Sequence, residues 1–337
     1  MKAVAYYQSL PSSDPQSLQD IELPAPTPGP RDLLVAVRAI SVNPVDTKIR
    51  RNVAPADGQA KVLGWDVTGV VQAVGSEVSL FQVGDEVFYA GALQRQGGNS
   101  ELHVVDERIV GHKPKRLGFA EAAALPLTAI TAWELLFERL KIAEGSASSG
   151  QSLLIIGAAG GVGSILTQLA RQLTGLTVIG TASRPETADW VRQLGAHHVI
   201  DHSQPLLPQL QQLGIQQVNH VASLTHTDQH YDQLIEALAP QGQLVLIDDP
   251  AQLDVVKLKR KSLSLHWEFM YTRSLFETPD MQAQHALLER VAQLIDAGTL
   301  HTTLGEHFGS INANNLRRAH ALLESGKARG KIVLEGF

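Results

Sequence analysis

Residues 153–163 read Leu-Leu-Ile-Ile-Gly-Ala-Ala-Gly-Gly-Val-Gly, a short apolar run that ends in a glycine cluster. A helical pattern follows at once: Val162, Ile165, Leu166, Leu169, Ala170 and Leu173 recur at the spacing of one helix face. A strand, a glycine turn and an amphipathic helix in that order build a dinucleotide cradle. The helix packs on a sheet while its first amides point at a phosphate, and glycine lets the backbone approach a pyrophosphate that a Cβ would obstruct. Gly157, Ala158, Ala159, Gly160, Gly161, Val162 and Gly163 are therefore the candidate cofactor-binding residues of this loop. Ala158 stands where G-x-G-x-x-G has its first glycine, and a tight turn without a ligand would use the same glycines, so the motif alone leaves both readings open.

Downstream the chain alternates strand and helix with short links. Thr177 to Gly180 reads as a strand, Pro185 to Leu194 as a helix closed by Gly195, and Val199-Ile200 as a strand. A Leu- and Gln-rich helix near 205–213, a strand from Val218 to Ala222, a helix from Asp228 to Ala239 and a strand from Leu244 to Ile247 continue the rhythm. This alternation predicts a doubly wound parallel sheet of the Rossmann kind, with ligand beyond the carboxyl ends of its strands. The second strand runs into Gly180-Thr181-Ala182-Ser183-Arg184, with no carboxylate before Glu186. A hydroxyl and a guanidinium suit a 2′-phosphate, so Ser183 and Arg184 favour NADPH over NADH. Arg184 as a solvated helix-start residue, with either cofactor used, is the alternative. His202 is placed near the adenosine phosphate.

The first 125 residues differ, being rich in Gly and Pro with short alternating runs, and predict a barrel-like β domain. After Lys257-Leu-Lys-Arg-Lys the alternation breaks, and the remainder is read as returning to the first domain through a helix near 280–297 and the strand at Lys331. The expected division is 1–126 for the first segment, 127–262 for the dinucleotide domain and 263–337 for the return.

With 337 residues, 44% of them hydrophobic, the chain can bury two cores. A formal charge of −6 gives no electrostatic reason to expect nucleic acid or an anionic membrane as partner. No apolar run is read as long enough to span a bilayer, and no signal-like segment opens the chain, so a cytoplasmic protein is expected. The complete lack of cysteine excludes disulfides, thiolate metal sites and a cysteine nucleophile. Among the histidines, His226 and His230 have helical i, i+4 spacing that could hold a metal, but no third ligand is suggested and no metal site is assigned.

Five ordered motifs carry a resemblance along essentially the whole chain: Leu63-Gly-Trp-Asp-Val-Thr-Gly-Val-Val, Val74-Gly-Ser, Val83-Gly-Asp-Glu-Val, Leu125-Pro-Leu-Thr-Ala-Ile-Thr-Ala-Trp and Ala158-Ala-Gly-Gly-Val-Gly. Together they resemble the medium-chain dehydrogenase/reductases, and within them the quinone-oxidoreductase-like branch near zeta-crystallin, whose members are often labelled zinc-type alcohol dehydrogenase-like. The resemblance implies a GroES-like catalytic domain formed by both chain ends, a central Rossmann domain and a cleft between them. It also locates the departures. Where zinc-using members place a ligand cysteine this chain has Asn43, and where they read Gly-His-Glu it reads Gly64-Trp65-Asp66. An indole cannot ligate through its N–H, so bound zinc is not expected.

Without a Lewis acid, deprotonating an alcohol is difficult, whereas quinones and α,β-unsaturated carbonyls accept hydride directly from a nicotinamide. The expected activity is NADPH-dependent reduction of such an acceptor. A zinc alcohol dehydrogenase and a non-catalytic NADPH-binding protein are the alternatives. Asn43 is expected to donate to the acceptor oxygen or the nicotinamide ribose, with Asp46 orienting Asn43 or the ribose and Trp65 as an aromatic wall. Each has a plainer role open to it: a turn at Pro44, a helix cap and core packing. Thr128 and Thr131 are carried over from the family's Pro-Leu-Thr segment as ribose or pyrophosphate contacts, with helix capping as the alternative. Lys48 stands where many relatives have a tyrosine. Ser223, the backbone of Leu246 and Ile247, and Lys331 complete the candidate cofactor set. A homodimer is expected through a sheet edge, with Leu244 to Ile247 as the edge strand.

Overall fold

The computed structural model describes residues 1–56 and 58–337. Its contacts divide the chain into one unit of Met1–Ile130 with Tyr271–Phe337 and another of Thr131–Met270.

The first unit is built mainly from strands. These are β1 (Lys2–Tyr6), β2 (Gln19–Glu22), β3 (Asp32–Val42), β4 (Lys61–Val62), β5 (Val67–Val74), β6 (Glu86–Tyr89), β7 (Leu102–Asp106) and β8 (Val110–His112). Three helices lie among or after them: α1 (Pro44–Asn52), α2 (Phe119–Ala123) and α3 (Pro126–Trp133). β2, β1 and β4 make a small sheet, and a seven-stranded sheet centres on β3, which pairs antiparallel with both β5 and β7. β3 is eleven residues long and buried along most of its length, including Leu33, Val35, Ala39, Ile40 and Val42. Its end passes straight into α1, where Pro44 opens the helix and Asp46 sits in the first turn.

The second unit is the alternating half: β9 (Ser152–Ile156), α4 (Gly161–Leu173), β10 (Thr177–Thr181), α5 (Pro185–Gln193), β11 (His198–Ile200), α6 (Leu206–Gln212), β12 (Val218–Ser223), α7 (Thr227–Ala237), β13 (Leu238–Leu246) and β14 (Ser264–Trp267). Its six strands run in the order β11-β10-β9-β12-β13-β14, and every neighbouring pair is parallel. That is the 3-2-1-4-5-6 order of a dinucleotide-binding sheet, whose order reverses beside β9. β9 is buried at all five positions, as a central parallel strand with both faces covered requires. Leu154, Ile156, Ile179, Val221, Leu234 and Leu244 belong to its apolar core.

After β14 the chain rejoins the first unit through α8 (Thr272–Phe276), α9 (Ala283–Asp296), β15 (Leu304–His307), α10 (Ala313–Glu324) and β16 (Lys331–Glu335). β16 pairs antiparallel with β3, which brings the carboxyl-terminal strand against the residues that lead into α1.

Three expectations need correction. The return to the first unit begins after Met270 rather than at 263, because Ser264–Trp267 pairs in register with Gln243–Leu246 and so extends the parallel sheet. For the same reason β13 is an interior strand, and the sheet edge on that side is β14. Finally, the run Phe119–Arg139 is long and apolar enough to cross a bilayer by length and composition. Its apolar window is 78% buried inside the fold.

Candidate functional site

The first unit carries a buried polar cluster where β3, β5, β16 and the start of α1 meet. Asp66, immediately before β5, is wholly buried, and four donors converge on its carboxylate. The Leu127 N–H reaches Oδ1 at 2.7 Å, while Asn43 Nδ2 at 2.8 Å, Lys331 Nζ at 2.9 Å and Ser41 Oγ at 3.1 Å reach Oδ2. Burial pushes the Asp66 carboxyl above its ordinary value, and the ammonium and these hydrogen bonds oppose it and hold the carboxylate.

Asn43 is 1% exposed and precedes α1. Its amide donates to Asp66 and to the Trp65 carbonyl at 3.2 Å, and its Oδ1 accepts from Lys331. Both amide hydrogens are thus committed within the protein, which corrects the expectation of a donor aimed at a substrate oxygen. Lys331, 3% exposed, donates to Asp66, to the Val42 carbonyl at 2.9 Å and to Asn43. An ammonium has three hydrogens and all are used, so the structure places Lys331 at the hub of the cluster. Asp46 is also fully buried, with Oδ2 accepting the Asn43 N–H at 2.6 Å and Oδ1 the Gly64 N–H at 2.9 Å. It caps α1 and ties it to the turn before β5. That turn needs glycine at position 64, where φ is +111° and a Cβ would fall 2.2 Å from Asn99 Oδ1. Burial raises the Asp46 carboxyl to about 7 against the pull of those two amides and of Lys331.

Trp65 is 1% exposed with its indole N–H turned to the Ala92 carbonyl at 3.4 Å, so what the structure shows for it is packing. Thr128 is buried within α3 and its hydroxyl donates back to Leu125 O at 3.1 Å. Lys48 lies exposed on α1.

The second unit carries the glycine loop. Gly157 ends β9 with φ +78°, its N–H donating to Thr181 Oγ1 at 3.1 Å, and Gly160 precedes α4. At Gly163 a Cβ would meet Gly157 O at 2.5 Å and Ala158 Cα at 2.6 Å, so the first turn of α4 closes directly on the loop. Ala158 is buried, whereas Ala159, Gly160, Gly161 and Val162 are part-exposed at the head of the helix. The cradle therefore has the close backbone approach and free helix start that a pyrophosphate requires.

Around it, Ser183 is exposed, and Arg184 is part-exposed and paired with Glu186 at 3.4 Å. His202 Nδ1 lies 3.2 Å from Thr181 Oγ1. Ser223 is fully buried and shares a 2.7 Å hydrogen bond with Thr227, and the Leu246 carbonyl accepts the Glu268 N–H at 2.9 Å; both groups are spent on the fold. Ile247 and the buried Thr131 complete the predicted set in this unit. His226 precedes α7 in a left-handed conformation with Nδ1 at 2.7 Å from Thr225 Oγ1. Among the described residues, no group of three or more His, Asp or Glu side chains is arranged to hold a metal.

The sequence reading passed over Asp66, although a carboxylate inside the apolar run Leu63 to Val71 was a visible anomaly. Thr181 is the hydroxyl that connects the loop to His202, while Thr225, in the Ser223 to Thr225 turn expected to complete the cofactor cleft, bonds His226.

Residues 29–133 match the alcohol dehydrogenase GroES-like domain and residues 194–334 match the zinc-binding dehydrogenase domain. The chain is 40% identical over 336 residues to a zinc-type alcohol dehydrogenase-like protein of Staphylococcus aureus, covering 99% of each. It is 33% identical to the quinone oxidoreductase of Pseudomonas aeruginosa, over 95% of this chain and 96% of that one. A Rhizobium etli structure assigned to the zinc-dependent alcohol dehydrogenases superposes with a TM-score of 0.97 at 56% identity, covering 100% of this chain and 98% of the other. A mycobacterial protein complexed with NADPH superposes at 0.84 with 27% identity over 99% of both.

Proposed function

Because this chain belongs to the medium-chain dehydrogenase/reductases, among the quinone-oxidoreductase-like and zinc-type alcohol dehydrogenase-like members, we propose that it is a zinc-independent, NADPH-dependent reductase of quinones or α,β-unsaturated carbonyls. The observation that carries the reading is the Lys331 ammonium bonded to Asn43 and Asp66. At the position where zinc-using relatives keep a thiolate, the amide is already engaged by a cation. At the histidine position an indole N–H faces a carbonyl. A dication there would meet like charge and no vacant lone pair of the right kind.

The glycine loop of β9 and α4 would hold the pyrophosphate, with Ser183 and Arg184 at the end of β10 for the 2′-phosphate. The bound nicotinamide supplies hydride. Asn43, Asp46, Asp66 and Lys331 act as positioning residues, fixing the β3-to-α1 turn and the head of β5 so that the surface they support is preorganised. Thr128 and Thr131 remain candidates for ribose contact through their backbone. NADPH-bound structure in one neighbour and quinone reduction in the name of one relative support the choice of cofactor and acceptor. A cytoplasmic homodimer that pairs through β14 belongs to the same proposal.

The test is reduced-nicotinamide absorbance with metal-stripped protein, NADPH or NADH, and quinones, enones, simple aldehydes and alcohols with the oxidised cofactor. Turnover of quinones or enones that prefers NADPH and ignores chelators is expected, with Arg184→Ala narrowing the preference about tenfold. Activity that appears only on adding zinc would overturn the metal-free mechanism. NADPH binding with no acceptor reduced would favour a binding protein.

A further inference from the structure

Three histidines, His202, His226 and His230, flank the glycine loop, and the proposed mechanism gives none of them a role. Thr181, the last residue of β10, accepts the Gly157 N–H at 3.1 Å, and the same hydroxyl shares a 3.2 Å hydrogen bond with His202 Nδ1. The His202 ring meets the His230 ring edge to face, with centroids 5.9 Å apart and planes at 75°. On the other side of the loop Thr225 bonds His226 Nδ1, and its Cγ2 lies 3.0 Å from where a Cβ on Gly157 would stand. His226 and His230 are one turn apart at the head of α7. Among the described residues His230 Nδ1 is buried without a hydrogen-bond partner.

The carboxyl end of β10 is where a dinucleotide fold meets the adenosine ribose. Resting on the nicotinamide-cofactor reading, we propose that His202, His226 and His230 form a proton-taking subsite for the adenosine 2′-phosphate, so that binding NADPH, but not NADH, takes up protons from solvent.

The charges around the cluster fit an anion that arrives from outside. Asp201 faces His202, but its carboxylate is held by the Ser203 N–H and hydroxyl at 2.8 and 2.7 Å. Asp228 faces His230 from the same helix. Asp248 is spent on the Thr227 N–H and hydroxyl, and Arg184 carries Glu186 beside it. Burial, and next the neighbouring imidazoles, push His230 below the ordinary histidine value; burial does the same for His202, with Asp201 opposing and His226 adding to it. His202 and His230 are thus neutral at pH 7 in the free protein, and a phosphate dianion reverses that balance by favouring the charged rings. Affinity gained this way is complete below the free-state values and is lost as pH rises through the bound-state ones.

Isothermal titration of the full chain, in two buffers of different ionisation enthalpy between pH 7 and 8.5, keeps the phosphate itself a dianion. The probes are NADPH, NADH and 2′,5′-ADP. Expected are uptake of about half to one proton with NADPH and 2′,5′-ADP, none with NADH, and about fivefold weaker NADPH binding at the upper pH. H202Q/H226Q/H230Q should abolish the uptake. Equal pH profiles for NADPH and NADH without proton uptake overturn the subsite and leave the cofactor reading standing. Failure of every probe to bind overturns both. The wild-type comparison decides the matter even if the variant does not fold.

Discussion

Lys331 illustrates how much one side chain can hold in place, since its ammonium joins Asp66, Asn43 and the end of β3. Removing one member of a buried ion pair leaves the other uncompensated, at a cost of about 3–5 kcal/mol, whereas replacing both by apolar groups is close to neutral. Lys331→Met should therefore lower unfolding free energy by that amount in urea denaturation, and Asp66→Asn/Lys331→Met, which removes both charges and keeps an acceptor for the Leu127 N–H, should recover part of it. Additive losses in that cycle would contradict the pairing. Gly163 is a second single-residue test. Both atoms nearest an added Cβ are backbone, so no flexible side chain can yield, and Gly163→Ala must displace the loop. NADPH affinity, followed by cofactor fluorescence, should fall by about tenfold or more, since overpacking costs roughly 1–3 kcal/mol. These two residues differ in legibility. Gly163 announces itself inside a local pattern of strand, glycines and helix. Asp66 and Lys331 are 265 positions apart, and nothing in either local sequence names its partner.

Strands and helices with strong local patterns could be read directly. β9 and α4 carry a continuous apolar run and a one-faced helix, and the structure forms both where the spacing puts them. β14 could not be read, because Ser264-Leu-His-Trp is short, half exposed and preceded by a basic stretch. Its strand character comes from the parallel ladder with β13, a tertiary cause. The consequence reaches beyond bookkeeping of strands, because the sheet edge available to a second copy is β14 and not β13. Trp267 on that edge is 51% exposed, a large apolar surface for an outer strand. If the proposed homodimer pairs there, Trp267→Glu should convert dimer to monomer in light scattering at micromolar concentration while leaving the monomer folded. A variant that stays dimeric places the interface elsewhere.

Acid stability is a property of the whole molecule and is set by buried groups whose titration opposes one another. His103 is neutral in the fold, accepting from the Tyr89 hydroxyl at Nδ1 and donating from Nε2 to the Gln96 carbonyl, and burial lowers it to about 4. His320 is fully buried, and burial followed by the Arg50 charge lowers it to about 3. The unfolded chain binds these protons first, near 6.5, so each histidine's contribution is fully present above that pH. Each is lost as pH falls through the folded value, by about 3 kcal/mol at pH 4. Asp46 works the other way. Raised to about 7, it favours the fold below its ordinary carboxylate value and loses that contribution as pH rises through 7, again on the order of 3 kcal/mol. Two histidines against one carboxyl make these three groups favour the fold more at pH 7 than at pH 4. Neither nitrogen of His320 has a hydrogen-bond partner among the described residues, so His320→Leu removes its acid penalty without leaving a donor or acceptor unpaired. Combined with His103→Gln, which keeps an amide between Tyr89 and Gln96, it leaves Asp46 as the largest of the three. Melting temperatures from pH 4 to 7 should then rise with pH by less than in the parent chain, and adding Asp46→Asn should shift the slope back towards the parent. An unchanged slope in the double variant would mean that neither histidine is neutral in the fold.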